Sequence, residues 1–110
     1  MSVIDEIAAE RKRQIEAEGW TSEHDDQEHE GGALAIAAAC YAETAGDCGH
    51  YAPSRYQSEP VPIDWPWHSK WWKPKNPRRD LIRAGALIVA EIERLDRMPL
   101  NEIPAEGMSE

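Results

Sequence analysis

Cysteine is scarce in this chain: Cys40 and Cys48 are the only two among 110 residues, and their spacing builds neither a metal site nor a disulfide framework. Cys40 lies in an apolar run and reads as a small buried hydrophobe. Long hydrophobic runs are missing too. No stretch approaches the roughly 20 apolar residues that span a bilayer, and the amino terminus lacks the apolar core of a secretory signal. A cytoplasmic protein is expected. There is no internal repeat, no low-complexity segment and no HExxH zinc signature. Positive charge is in short supply, with 12 Lys and Arg against 21 Asp and Glu and a net charge of -9. The average field of such a chain repels nucleic acid and anionic membranes.

The charge is unevenly spread. Residues 1–69 hold 4 cations against 14 acids, whereas residues 70–97 hold 8 against 4. One region of an acidic protein is therefore locally basic, and the sequence leaves open whether it meets a ligand or neutralises the acidic part.

What the chain does have is alanine and helical periodicity. Gly31 to Ala45, GGALAIAAACYAETA, carries seven alanines in fifteen positions and meets its first carboxylate only at Glu43. Small side chains on every face let other backbones come close, which predicts a central helix over residues 32–45, packed on more than one side and ended by Gly46. Gly31 and Gly32 allow a sharp turn into it. Alanine adds little volume, so the bulk of the core must come from elsewhere in the chain or from a second copy.

Before this helix, Ile4, Ile7, Ala8, Arg11 and Ile15 recur at helical spacing and predict a helix over residues 3–18, capped by Ser2 or Asp5, with the Arg11 stem along its inward stripe. Gly19 closes it, and Trp20 is placed to cover the end. The last helix, over residues 78–97, reads RRDLIRAGALIVAEIERLDR. Leu81, Ala84, Ile88, Ile92 and Leu95 form one row, with Ile82, Gly85, Val89 and Glu93 beside it. At about 30 Å it is long enough to span the domain or to contribute to a homodimer. The expected fold is all-α, with three main helices in one domain over residues 1–97 and a flexible tail over residues 98–110.

Residues 47–77 hold six of the eight prolines together with Tyr51, Tyr56, Trp65, Trp67, Trp71 and Trp72. A connection this long is unusual in a small domain, and its aromatics argue for order. Short turns are expected, one of them helical near residues 68–73, with the rings packed over the helices.

Three constellations are candidates for chemistry. His24, Asp25, Asp26 and His29 offer imidazole and carboxylate donors to a divalent metal, against the plainer reading of an acidic solvated loop. His50 and His68 complete such a site only if the long connection folds back. Glu6 with Glu10, and Glu43 with Asp47, place carboxylates one helical turn apart, an arrangement that holds Mg²⁺ against a pyrophosphate when two such helices face each other. The plainer reading of Glu6 and Glu10 is a solvated first turn suited to the helix dipole. In the third, WPWHSKWWKPKNPRRDLIR, six cations alternate with four indoles. Trp65, Trp67, Trp71 and Trp72 offer stacking faces, Lys73, Arg78, Arg79 and Arg83 offer charge, and Trp20 joins them if the loops meet. The plainer reading makes the tryptophans core and pairs the cations with the acidic half.

Two resemblances follow from these residues. The acidic outline is similar to the all-helical nucleotide pyrophosphohydrolases, although their acidic pairs lie at i, i+3 with another Glu and Asp farther on, whereas here the spacing is i, i+4. That likeness implies a divalent-metal-dependent nucleotide phosphohydrolase. The runs ERKRQIEAEGWTSEHDDQEHEGGALAIAAACYAETAG and WPW…WWKPKNPRRDLIRAGALIVAEIERLDR cover about three-quarters of the chain and resemble a family of small proteins of tailed phages and prophages. What that resemblance implies is an accessory protein that binds a host protein, a host defence component or a small nucleotide-like anion. A purely structural, oligomeric phage protein is the remaining alternative. The expectation is binding without catalysis or cofactor, by a homodimer in the host cytoplasm.

Overall fold

The structure is a computed structural model and describes residues 2–18, 32–51 and 53–98. Among these residues lie three α-helices, α1 (Val3–Glu18), α2 (Ala33–Tyr51) and α3 (Pro77–Asp96), with two 3-10 turns, Pro53–Ser58 and Ser69–Trp71, in the connection between α2 and α3. No strand occurs among the described residues, so the fold is all-α as the periodicity predicts. Both α1 and α2 dock on α3.

Each helix starts where its capping chemistry dictates. Ser2 and Asp5 act together on α1: the Ser2 hydroxyl oxygen accepts the Asp5 N–H at 3.1 Å, and Asp5 Oδ2 accepts the Ser2 N–H at 3.2 Å. Gly32 enters α2 at φ 83°, a left-handed backbone conformation that costs glycine nothing. The Asn76 side chain accepts the Arg79 N–H at 2.8 Å, and Pro77 fills the first helical position of α3, where a missing N–H is harmless.

Two expectations about the helices are corrected. Gly46 does not end the central helix, which runs on to Tyr51. An interior glycine costs only about 1 kcal/mol, and buried Ala45 together with half-buried Cys48 carries the packed face past it. The inward stripes are also placed differently. Leu81, Ile88 and Ile92 are about half exposed, while Ile82, Ala84, Ala86, Leu87 and Ala90 are buried. On α1, Ile4 and Ala8 are exposed, and Glu10, Arg11 and Gln14 are buried. Periodicity finds the apolar arcs, but the partner decides which arc turns inward.

The core joins Leu34, Ala37, Ala38, Cys40 and Tyr41 of α2 to Ala84, Leu87 and Ala90 of α3 and to Trp65 and Trp72 of the connection. Tyr41 stacks on Trp72 with ring centroids 4.7 Å apart and meets Trp65 edge-on at 5.5 Å. The alanines set a close helix approach, and the indoles supply the missing volume. Cys40 is buried there, and burial pushes its thiol pKa up, assisted by the charges of Asp64 and Glu43.

Candidate functional site: the tryptophan strap and the charged seam

Residues 65–76 form a strap that crosses the core and delivers the chain to the start of α3. Its shape follows from local hydrogen bonds. Trp65 Nε1 donates to the His68 carbonyl oxygen at 3.2 Å, and His68 Nδ1 accepts the Lys70 N–H at 3.0 Å, capping the short turn Ser69–Trp71. Trp65 and Trp72 therefore face inward, and Trp67 packs partly buried against the core, 5.2 Å from Trp65. Trp71 points the other way. It is 56% exposed, with Lys70 Nζ 5.2 Å and Lys73 Nζ 5.6 Å from its ring centroid.

The strap is anchored by Asp80, which is fully buried. Its carboxylate accepts the Tyr56 hydroxyl at 2.6 Å, the Lys75 N–H at 3.1 and 3.2 Å, and Arg83 Nη1 at 3.4 Å. Burial raises the Asp80 pKa, and these donors offset only part of that rise. Burial and the Asp80 carboxylate raise the Tyr56 phenol in turn. Arg83 Nη1 also donates to the Lys73 carbonyl at 2.6 Å, and its guanidinium lies 5.9 Å from the Tyr41 ring. Two buried donors in this region, Trp72 Nε1 and Arg83 Nε, have no acceptor.

The other arginines of the basic segment belong to a seam between α1 and α3. Arg78 holds Glu6 through two bonds of 2.8 and 2.6 Å. Arg79 donates to Glu10, which is 2% exposed and also accepts both Arg13 Nε and Nη2 at 2.8 Å and Gln14 Nε2 at 3.3 Å. Arg11 Nε donates to Glu93 at 3.0 Å. The reading of Glu6 and Glu10 as a solvated first turn is thus corrected: Glu10 is a buried acceptor because guanidinium groups cover it. Burial works to raise its pKa, but the Arg13 hydrogen bond and the charges of Arg13 and Arg79 prevail and lower it. The Arg78 hydrogen bond lowers Glu6.

Of the candidate binding residues, Trp65 and Trp72 come together with Arg83 around Tyr41, and Trp67 packs on Trp65. Arg78 and Arg79 are turned toward α1. Trp71 and Lys73 share the outer face with Lys70. Trp20, His24, Asp25, Asp26 and His29 lie outside the described residues, as does the side chain of His50. Glu43 and Asp47 are exposed on α2, and His68 serves the turn cap. Among the described residues no three His, Cys, Asp or Glu side chains are grouped to hold a metal ion. Periodicity gives no sign of Asp80 and Tyr56 as an anchor, because their contact depends on the strap. No helix among the described residues is long and apolar enough to cross a membrane.

Compared with protein families, with curated proteins and with solved structures, the chain matches none.

Proposed function

We propose that this protein acts by binding rather than by catalysis, as an accessory product of a tailed phage or prophage in the host cytoplasm, with the outer face of the strap as its contact surface. The observation that carries the reading is Trp71, an exposed indole bracketed by the ammonium groups of Lys70 and Lys73 and held on a strap that Trp65, Trp72 and Asp80 fix to the core. A rigid aromatic anchor beside fixed positive charge suits an acidic surface on a host protein, including a defence component. The likeness of the two long runs to small phage proteins supports the setting.

A small nucleotide-like anion is the second reading. An indole face stacks a base while the lysines meet its phosphate. It is less well supported, since Arg78 and Arg79, the residues with phosphate-fork geometry, already hold carboxylates. The phosphohydrolase alternative requires Glu43, Asp47 and the histidines to converge around a divalent ion, and the second carboxylate pair it would draw on, Glu6 and Glu10, is held by guanidinium groups.

The test is affinity capture from host lysate with the intact chain and with Trp71→Ala and Lys70→Glu/Lys73→Glu variants. A partner held by the wild type and bound at least about 30-fold more weakly by Trp71→Ala supports the reading, as expected when an interfacial tryptophan worth about 2 kcal/mol is truncated. Equal capture by all three rejects it. A titration with mononucleotides and cyclic dinucleotides at low salt, read by tryptophan fluorescence, separates the second reading from the first.

A further inference from the structure

Leu81, Ile88 and Ile92 lie along one line of α3, and each leaves about half its surface in solvent: 50%, 49% and 52%. With Gly85 and Leu95 between and beyond them they step by 4, 3, 4 and 3 residues, the alternation by which one helix seats against another. The notch at Gly85 is already filled by α1, since a Cβ there would stand 2.9 Å from Ile7 Cδ1. Val3 and Ile4, one turn earlier on the same face of α1, are 54% and 72% exposed and extend the apolar ground.

We propose that this face is the contact between two copies of the chain, with α3 antiparallel to its counterpart about a two-fold axis at Ile88. The helix carries its own complement. Reversal about Ile88 sets Leu81 opposite Leu95, Ile88 opposite itself, and Ile92 level with Ala84, beside Gly85 and the Ile7 side chain that fills its notch. By helical periodicity Arg78 and Asp96 lie on the same side of the stripe, at opposite ends. Glu6 holds Arg78 through two bonds but leaves 66% of the arginine side chain in solvent, so antiparallel pairing brings Asp96 of each copy toward a guanidinium shared with Glu6, whereas parallel pairing sets each charge level with its own copy. This contact does not rest on the reading of Trp71.

Sedimentation equilibrium of the full chain should give twice the chain mass of 12.4 kDa at tens of micromolar. Ile88→Glu and Ile92→Glu should each weaken association at least a hundredfold while leaving the far-ultraviolet circular dichroism unchanged, because both sites are exposed in the single chain. In a Cys48→Ser background, Ile88→Cys should form an interchain disulfide under copper-phenanthroline oxidation and Leu81→Cys should not. A monomeric full chain, or a dimer that survives both glutamates, overturns the proposal. So does a monomer that dimerises only when residues 99–110 are deleted, which would assign the stripe to the tail. Cross-linking through Leu81→Cys as readily as through Ile88→Cys overturns the antiparallel register.

Discussion

On the side of α3 that meets α2, Ala84, Leu87 and Ala90 pack against Leu34, Ala37, Ala38 and Tyr41; on the side that meets α1, Arg78, Arg79 and Glu93 meet Glu6, Glu10 and Arg11. One helix thus serves two seams of opposite chemistry. The α2 seam is dry, and its strength grows with the apolar area removed from water and with the tightness allowed by alanine. The α1 seam is ionic and partly open, because Arg13 and Arg79 keep 40% and 35% of their side chains in solvent. An ion pair at such a place gains little over hydration, but it punishes a wrong partner with an unpaired charge. The comparison separates bulk stability from register: α2 supplies the first, and α1 is positioned by the second.

The sharpest way to break this division is to remove volume from the dry seam. Leu87→Ala leaves a cavity where no solvent enters and is expected to cost about 2–5 kcal/mol in denaturant unfolding. On the ionic seam, Glu10→Ala strips the acceptor shared by Arg13, Arg79 and Gln14. Because the freed arginines reach water, the expected cost is smaller, roughly 1.5–3 kcal/mol. A larger loss from Glu10→Ala than from Leu87→Ala would reverse the assignment of roles.

Acid should part the two seams. Glu6 and Glu10 have folded pKa values below their ordinary value of 4.5, so their stabilisation is present above that value and lost as pH falls through the lowered ones. Asp80 is raised above 3.8, so its linkage favours the folded state at low pH and fades as pH rises through the folded value. Hydrogen exchange between about pH 5 and about pH 3 is expected to accelerate in α1 before α2 and the strap. Simultaneous loss of protection in all three would show one cooperative unit.

The smallest effect sharpens the contact at Gly85. Gly85→Ala alone is expected to change stability by less than about 0.5 kcal/mol, because the helix-propensity gain is offset by the clash with Ile7. In an Ile7→Ala background the same substitution should recover most of the roughly 1 kcal/mol gain, and a thermal-unfolding cycle measures the coupling.

The ionic seam also marks where sequence reading stops. The three helices, the cap of α1, the turn near residues 68–73 and the inward rings of Trp65 and Trp72 are legible, because capping residues, proline positions and indole bulk act locally. The burial of Glu10 is not, since its main cross-helix donor, Arg79, lies 69 residues away. Asp80 is hidden for the same reason, its Tyr56 donor lying 24 residues back. The row Leu81, Ile88 and Ile92 is legible as apolar but not as outward, because two adjacent arcs of α3 carry similar periodicity. At the candidate site, the exposure of Trp71 among four similar indoles is decided by the turn at His68, which composition does not reveal.

The same separations in the chain bear on the order of assembly. Contacts from α1 to α3 join residues 69 to 82 apart, so docking α1 closes long loops for ionic contacts alongside the packing of Ile7 on Gly85. Loop closure of that length is entropically unfavourable until the target surface exists. Packing of α2, the strap and α3 is then expected to form the rate-limiting nucleus, with α1 arriving after the barrier. Substitutions in the ionic seam should accordingly speed unfolding and leave the refolding rate nearly untouched, whereas Leu87→Ala should slow refolding.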